Sequence, residues 1–149
     1  MKGWLLDTNV IAEMTRHKPD RRVRRWFEAQ PEQTLFLSIL TLAEYQKGLH
    51  NLEPGDPLRP RLEQQALQLE EEFLGQTLSV SDAVALRWGA ISGQVKRLTG
   101  HSPAVVDTLL AATALEHNLY LATRNIAHVT HSGAIVFNPW TDDPDQFPI

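Results

Sequence analysis

The chain has 149 residues, 42% hydrophobic and 21% charged, which suits one globular domain with a single core and leaves too little for a second. It contains 0 cysteines, which excludes a disulfide scaffold, a zinc–thiolate site and a cysteine nucleophile, and fits a reducing compartment such as the cytoplasm. A net charge of -4 argues against a protein that coats nucleic acid by neutralising phosphates, though not against an enzyme that cuts it, because acids gathered for a metal depress the total.

No apolar run approaches the roughly 20 residues that span a bilayer, so no membrane is expected, and Met1-Lys2-Gly3-Trp4 reads as no cleavable leader. The first strand is Trp4 to Leu6, ended by Asp7-Thr8-Asn9, after which Val10 to Arg16 can be helical. The one strongly basic stretch follows, with Arg21, Arg22, Arg24 and Arg25 on a helix shared with Trp26 and Phe27. Leu35 to Leu37 reads as a second strand, and Thr41-Leu42-Ala43-Glu44 as a capping box that opens a helix. A turn at Glu53 to Pro57 leads into an amphipathic helix over Leu58 to Leu74, where Leu62, Ala66, Leu69 and Phe73 share one face. Leu78 to Val80 is a third strand, and Asp82 to Leu98 a helix with Asp82 in the capping role. Ser102-Pro103 starts a further helix to about Asn118. Leu119 to Ala122 and Ala134 to Phe137 complete the strands, and Thr141 to Ile149 is an irregular tail, so the domain is placed over residues 1–140 and the tail over 141–149.

Strands alternating with helices imply an α/β fold, a central, mainly parallel five-stranded sheet with helices on both faces. Ligands of such sheets collect at the carboxyl ends of the strands, where Asp7 and the segment Thr123-Arg124-Asn125 fall.

Lone acids in apolar settings carry the chemical signal. Asp7 follows an apolar strand, Glu44 sits in Leu42-Ala43-Glu44-Tyr45, and Asp107 in Val105-Val106-Asp107-Thr108-Leu109-Leu110. Burying an unpaired carboxylate costs several kcal/mol. No lysine or arginine adjoins any of the three in sequence, so a divalent metal with bound water is the economical counter-ion. Each acid also has a plain structural reading: Asp7 as a helix cap, Glu44 as the return arm of the capping box, and Asp107 as a surface acid. The last is the weakest, because Asp107, Ala111 and Ala114 share a face whose small side chains leave room for solvent, metal or phosphate. His128 and His131 read as exposed loop histidines, and Asp142, Asp143 and Asp145 as solvated tail acids. There is no Walker A loop, no Gly-x-Gly-x-x-Gly and no Ser-His-Asp order.

In this order the segments Leu5-Leu6-Asp7-Thr8-Asn9-Val10-Ile11, Ser38 through Glu44, Asp107 through Ala114, Leu121 through Asn125, and Asn138-Pro139-Trp140 resemble the PIN-domain family, most closely its VapC- and FitB-type toxins. The resemblance covers nearly the whole chain. It implies an acidic pocket binding Mg2+ or Mn2+, cleavage of RNA, inhibition by a cognate antitoxin protein, and a homodimer or larger toxin–antitoxin assembly. Asp7, Glu44 and Asp107 match the family's first three acids, and Thr8, Asn9, Thr123 and Asn125 match polar pocket residues. His128 stands where the family usually places a fourth acid. An imidazole brings no negative charge and suits Mn2+ better than Mg2+, which puts a second metal in question. Metal-assisted hydrolysis of an RNA phosphodiester is the mechanism expected, with Asp7 and Asp107 on the metal, Glu44 orienting a coordinated water, and Arg124 with the Arg21 to Arg25 stretch on phosphates. The rival expectations are a weakened module that binds RNA or a protein without cutting, and a DNA nuclease using the same acids. Trp26, Phe27, Tyr45, Leu49 and Leu52 put more apolar surface on two early helices than one core needs, which suits a groove for an antitoxin helix.

Overall fold

Each of the short apolar runs contributes a strand to a single sheet in the computed structural model, which describes residues 1–149. In chain order the elements are β1 (Trp4–Leu6), α1 (Thr8–Met14), α2 (Arg21–Ala29), β2 (Leu35–Ser38), α3 (Ile39–His50), α4 (Arg59–Glu72), β3 (Thr77–Leu78), α5 (Asp82–Thr99), α6 (Val105–Glu116), β4 (Tyr120–Ala122), α7 (Ile126–Val129) and β5 (Val136–Phe137). Short 3-10 turns occupy Glu32–Thr34 and Pro144–Gln146. All strand pairings are parallel, in the order β3-β2-β1-β4-β5.

This order explains why β1 and β4 read as unbroken apolar runs: every residue of both is buried, with helices covering either side. Trp4 and Leu6 point to one side, where α1, α2 and α4 supply Val10, Ile11, Val23, Trp26, Leu69 and Phe73. Leu5 and Leu121 point to the other, where α6 supplies Leu110, Ala111 and Ala114. The alanines of α6 are wholly buried, so the face they share with Asp107 is not open space as the sequence suggested. Small side chains there let the helix lie close on the sheet, and Asp107 marks the end of that stripe.

Three local expectations are corrected. α3 starts at Ile39, capped by the buried Ser38, whose hydroxyl accepts from the Leu40 amide; Thr41 and Glu44 therefore lie inside the helix and form no capping box. α6 starts at Val105 behind Ala104, with no side-chain cap from Ser102, which moves Asp107 into its first turn. α5 is capped by Ser81, whose Oγ accepts from the Val84 amide at 3.2 Å, rather than by Asp82.

The tail after Thr141 is irregular apart from its 3-10 turn, yet it is pinned to the core. Phe147 packs edge-to-face with Tyr120 and Phe137, ring centres 5.3 Å and 4.9 Å away, and the Tyr120 hydroxyl donates to the Pro148 carbonyl at 2.9 Å. No helix is long and apolar enough to cross a membrane.

Candidate active site

The register of the sheet builds the site. Leu6 pairs with Leu37 on one side and Ala122 on the other, so the next residues, Asp7, Ser38 and Thr123, stand level at the carboxyl edge. The chain moves outward from β1 through β2 to β3, then returns to place β4 against the opposite side of β1. The crossovers on either side of β1 therefore diverge, and a crevice opens between the ends of β1 and β4. Asp7 and Thr123 face each other across it.

Asp7 is 6% exposed and occupies both roles that the sequence offered. Its backbone is extended and caps α1, with Oδ1 accepting from the Thr8 amide at 2.6 Å. Its other oxygen accepts from the Thr123 hydroxyl at 2.7 Å and from Asn9 Nδ2 at 3.3 Å. Asn9 Nδ2 also reaches Thr123 Oγ1 at 3.2 Å, and the Asn125 amide donates to that same hydroxyl at 3.0 Å. All of these donors are neutral. Burial pushes the carboxyl of Asp7 above the ordinary aspartate range; the hydrogen bonds from Thr123 and Thr8 oppose this, and the nearby Asp107 adds to it.

Glu44, one and a half turns into α3, is half-buried and faces the same edge. Burial again raises its pKa, the Thr8 hydroxyl works against the rise, and the charges of Asp7 and Asp107 reinforce it. Thr8 Oγ1 also lies 3.0 Å from Thr41 Oγ1, a buried hydroxyl that the sequence offered as a helix cap and that instead ties α1 to α3. Asp107, on the first turn of α6, completes the mutual repulsion. His128 on the short α7 places Nδ1 2.8 Å from Asp107 Oδ2, making it the one cationic-capable side chain in contact with these acids.

The donor chemistry fits a hard divalent cation: three carboxylates, two of them disfavoured as anions by burial and by the charge of Asp107, with hydroxyl and amide oxygens around them. As the side chains lie, no three Asp, Glu or His residues are gathered in ligating range of one point. Asp107 is engaged by His128, so full ligation requires side-chain rearrangement about Asp107.

The structure brings Asp7, Thr8, Asn9, Thr123, Asn125, Glu44, Asp107 and His128 to one edge. It treats the arginines differently. Arg124 turns its guanidinium over Trp140, 4.8 Å from the ring centre, and Trp140 Nε1 donates to the buried Glu13, which Arg16 pairs at 2.9 Å. Glu13 thus fixes the indole on which an arginine of the site's rim rests, a link between distant segments that no local sequence signal announces. Arg21, Arg22, Arg24 and Arg25 line a separate open cavity of about 480 Å3. There Arg22 donates to the Thr141 and Asp142 carbonyls and Arg24 pairs with Glu28 at 3.5 Å, while Arg21 and Arg25 make no polar contact.

A sheet of this order with buried acids at its switch point defines a class: residues 4–129 match the PIN-domain family model, and the chain belongs to that family. Within it, the sequence is of the FitB and VapC type. It is 38% identical to the toxin FitB of Neisseria gonorrhoeae over 93% of this chain and 99% of that protein. It is 33% identical to the VapC ribonuclease Y4jK of Sinorhizobium fredii over 91% and 96%. Among solved structures, FitAcB from Neisseria gonorrhoeae superposes with a TM-score of 0.79 at 32% identity, covering 92% of this chain and 98% of that one. A toxin–antitoxin complex from Klebsiella pneumoniae shares the fold, with a TM-score of 0.68 at 24% identity over 92% and 98%.

Proposed function

We propose that this protein is a Mg2+- or Mn2+-dependent endoribonuclease, the toxin of a toxin–antitoxin pair that acts in the cytoplasm. The observation that carries the reading is the buried Asp7, hydrogen-bonded only by neutral groups and repelled by Asp107, at the crevice where an α/β sheet takes its ligand. A carboxylate in that state gains most from a cation, because its cap on α1 offsets only part of the cost of its burial.

Asp7 and Asp107 would hold a divalent cation, with Glu44 orienting a water beside it, and such an ion would supply charge neutralisation at the phosphate and a water of lowered pKa. The chain's own groups do the rest. The Thr123 hydroxyl and Asn9 amide hold Asp7 Oδ2 in one orientation at the crevice. Glu44, half-buried on α3 and facing the same edge, would orient the attacking water and accept a hydrogen bond from it. Arg124 lies exposed at the end of β4 and can meet a phosphate of the strand without reading its bases.

The experiment is cleavage of single-stranded RNA with Mg2+, Mn2+ or EDTA, using the wild type, Asp7→Asn and Asp107→Asn. Activity is expected only with metal and should fall at least a hundredfold in either variant; equal, EDTA-insensitive activity in all three sinks the reading. Matched RNA and DNA strands in competition separate a ribonuclease from a DNA nuclease using the same acids.

One observation favours a second reading, in which the pocket holds RNA without cutting it: His128 engages Asp107 directly, in the position where a fourth acid is expected. A silent wild type that gains cleavage on His128→Asp supports this second reading, whereas a wild type that cuts removes it.

The partner is an antitoxin helix. A groove of about 310 Å3 between α1, α2, α3 and α4 has an apolar floor including Ile11, Phe27, Tyr45 and Phe73, with Gln65 and Glu72 among its polar lining. That pattern takes one large apolar side chain of an amphipathic helix. Trp26 and Leu49, counted by sequence as groove residues, are instead buried in the molecule's own packing. A homodimer or larger toxin–antitoxin assembly belongs to the same reading.

A further inference from the structure

A further cavity, of about 510 Å3, lies between the end of α5, the loop into α6, and α7. Its lining includes three imidazoles, His101, His128 and His131, and three hydroxyls, Thr99, Ser102 and Thr130, with no carboxylate among them. In a chain of net charge -4, whose neighbouring crevice is built from acids, this is an unusual composition. The three histidines are not gathered for a metal ion. They are drawn from different segments, the α5–α6 loop, α7 and the turn after it, yet border one space.

His128 belongs to both places. Its Nδ1 touches Asp107 at 2.8 Å, so the cleft opens immediately beside the acids. His131 holds a left-handed backbone with φ 70°, a conformation that side-chain-bearing residues seldom adopt. Its ring is exposed, as are His101 and His128. Exposed aromatic rings beside hydroxyls are the combination on which unpaired RNA bases stack and find hydrogen bonds at their edges. The volume admits a nucleoside.

We infer that this histidine-lined cleft receives a base of single-stranded RNA next to the phosphodiester held at Asp7 and Asp107, so that substrate leaves the acidic crevice across His128 and stacks on His101 and His131. The inference rests on the ribonuclease reading and adds a subsite that reads an unpaired base rather than phosphate. It also sets a requirement: the nucleotide beside the cleaved bond must be unpaired, since a base within a duplex offers no free face to the cleft.

The test is a double-mutant cycle on the full chain. A short single-stranded RNA cut by the wild type is prepared as a series in which each nucleotide in turn is abasic, and kcat/KM is measured for the wild type and for His101→Ala/His131→Ala. Binding of the same strands to Asp7→Asn, with and without the histidine substitutions, provides a readout independent of cleavage. The expected result is one position, adjacent to the cut, at which removing the base costs about tenfold in the wild type and almost nothing in the histidine variant, while that variant loses about tenfold on the intact strand. If the abasic loss persists undiminished in the variant, or if the variant handles intact strands like the wild type, the cleft does not hold a base. A variant weakened equally at every abasic position is misfolded or generally impaired, and also counts against the subsite. Equal behaviour on a matched DNA strand would overturn the assignment to RNA. If the wild type cuts no RNA, the ribonuclease reading itself falls, an outcome distinct from a cutting enzyme indifferent to His101 and His131.

Discussion

Asp7 and Glu44 are the two carboxylates whose ionisation the fold disfavours, and the sign of that effect is measurable. Both have folded-state pKa values above those of the unfolded chain, burial being the larger cause, so the folded state binds more protons between the two values. In EDTA their contribution to stability is therefore greatest near pH 4 and is lost as the pH rises through the raised folded values. Melting temperature followed from about pH 4 to 8 should show this decline in the wild type and a shallower one in Asp7→Asn. Mg2+ or Mn2+ at about a hundredfold above its Kd should restore about 2.7 kcal/mol to the wild type alone. Identical pH slopes in the two proteins would mean that Asp7 is an ordinary helix cap.

The acids were legible as exceptions to an apolar pattern, and the elements around them were legible by period. The misreadings have a common cause, which is that a helix start depends on backbone geometry as well as on capping residues. Ser38 ends β2 and caps α3 at once, so the apparent box at Thr41 and Glu44 begins three residues too late. That correction bears on function: inside the helix, Glu44 has no amide to serve and its side chain is left for the crevice. On α2, the alternation of Arg21, Arg22, Arg24 and Arg25 with the buried Val23 and Trp26 was readable as an amphipathic helix, while the unequal engagement of the arginines was not. Arg21 and Arg25, which have no polar partner, are the ones free to meet phosphate. Arg21→Ala/Arg25→Ala should weaken binding of single-stranded RNA without changing base preference and should flatten the plot of log K against log[salt] by about 1.4 units. An unchanged slope places the RNA elsewhere.

The molecule as a whole is closed by its last residues. Phe147 returns to an aromatic cluster with Trp4, Tyr120 and Phe137, adding a ring to the face that also carries Trp26. Phe147→Ala, at a half-buried ring, should cost about 1.5 kcal/mol, read by denaturant unfolding, with the slope m unchanged. A loss below about 0.5 kcal/mol would show that the tail is decoration.

The order of apolar runs and helical periods was enough to establish an α/β chain with a central sheet, because burial on two faces leaves strands no polar positions. Lone acids beside those runs pointed to one edge of it, because an unpaired charge next to apolar surface has few uses. What the tertiary structure alone decided is which groups meet there. The contact of His128 with Asp107, the hold of Thr123 on Asp7, and the placing of Arg124 over Trp140, itself held by Glu13, each join separate segments of the chain. Such contacts follow from strand order and register, which place residue against residue across the sheet, and no local propensity encodes them.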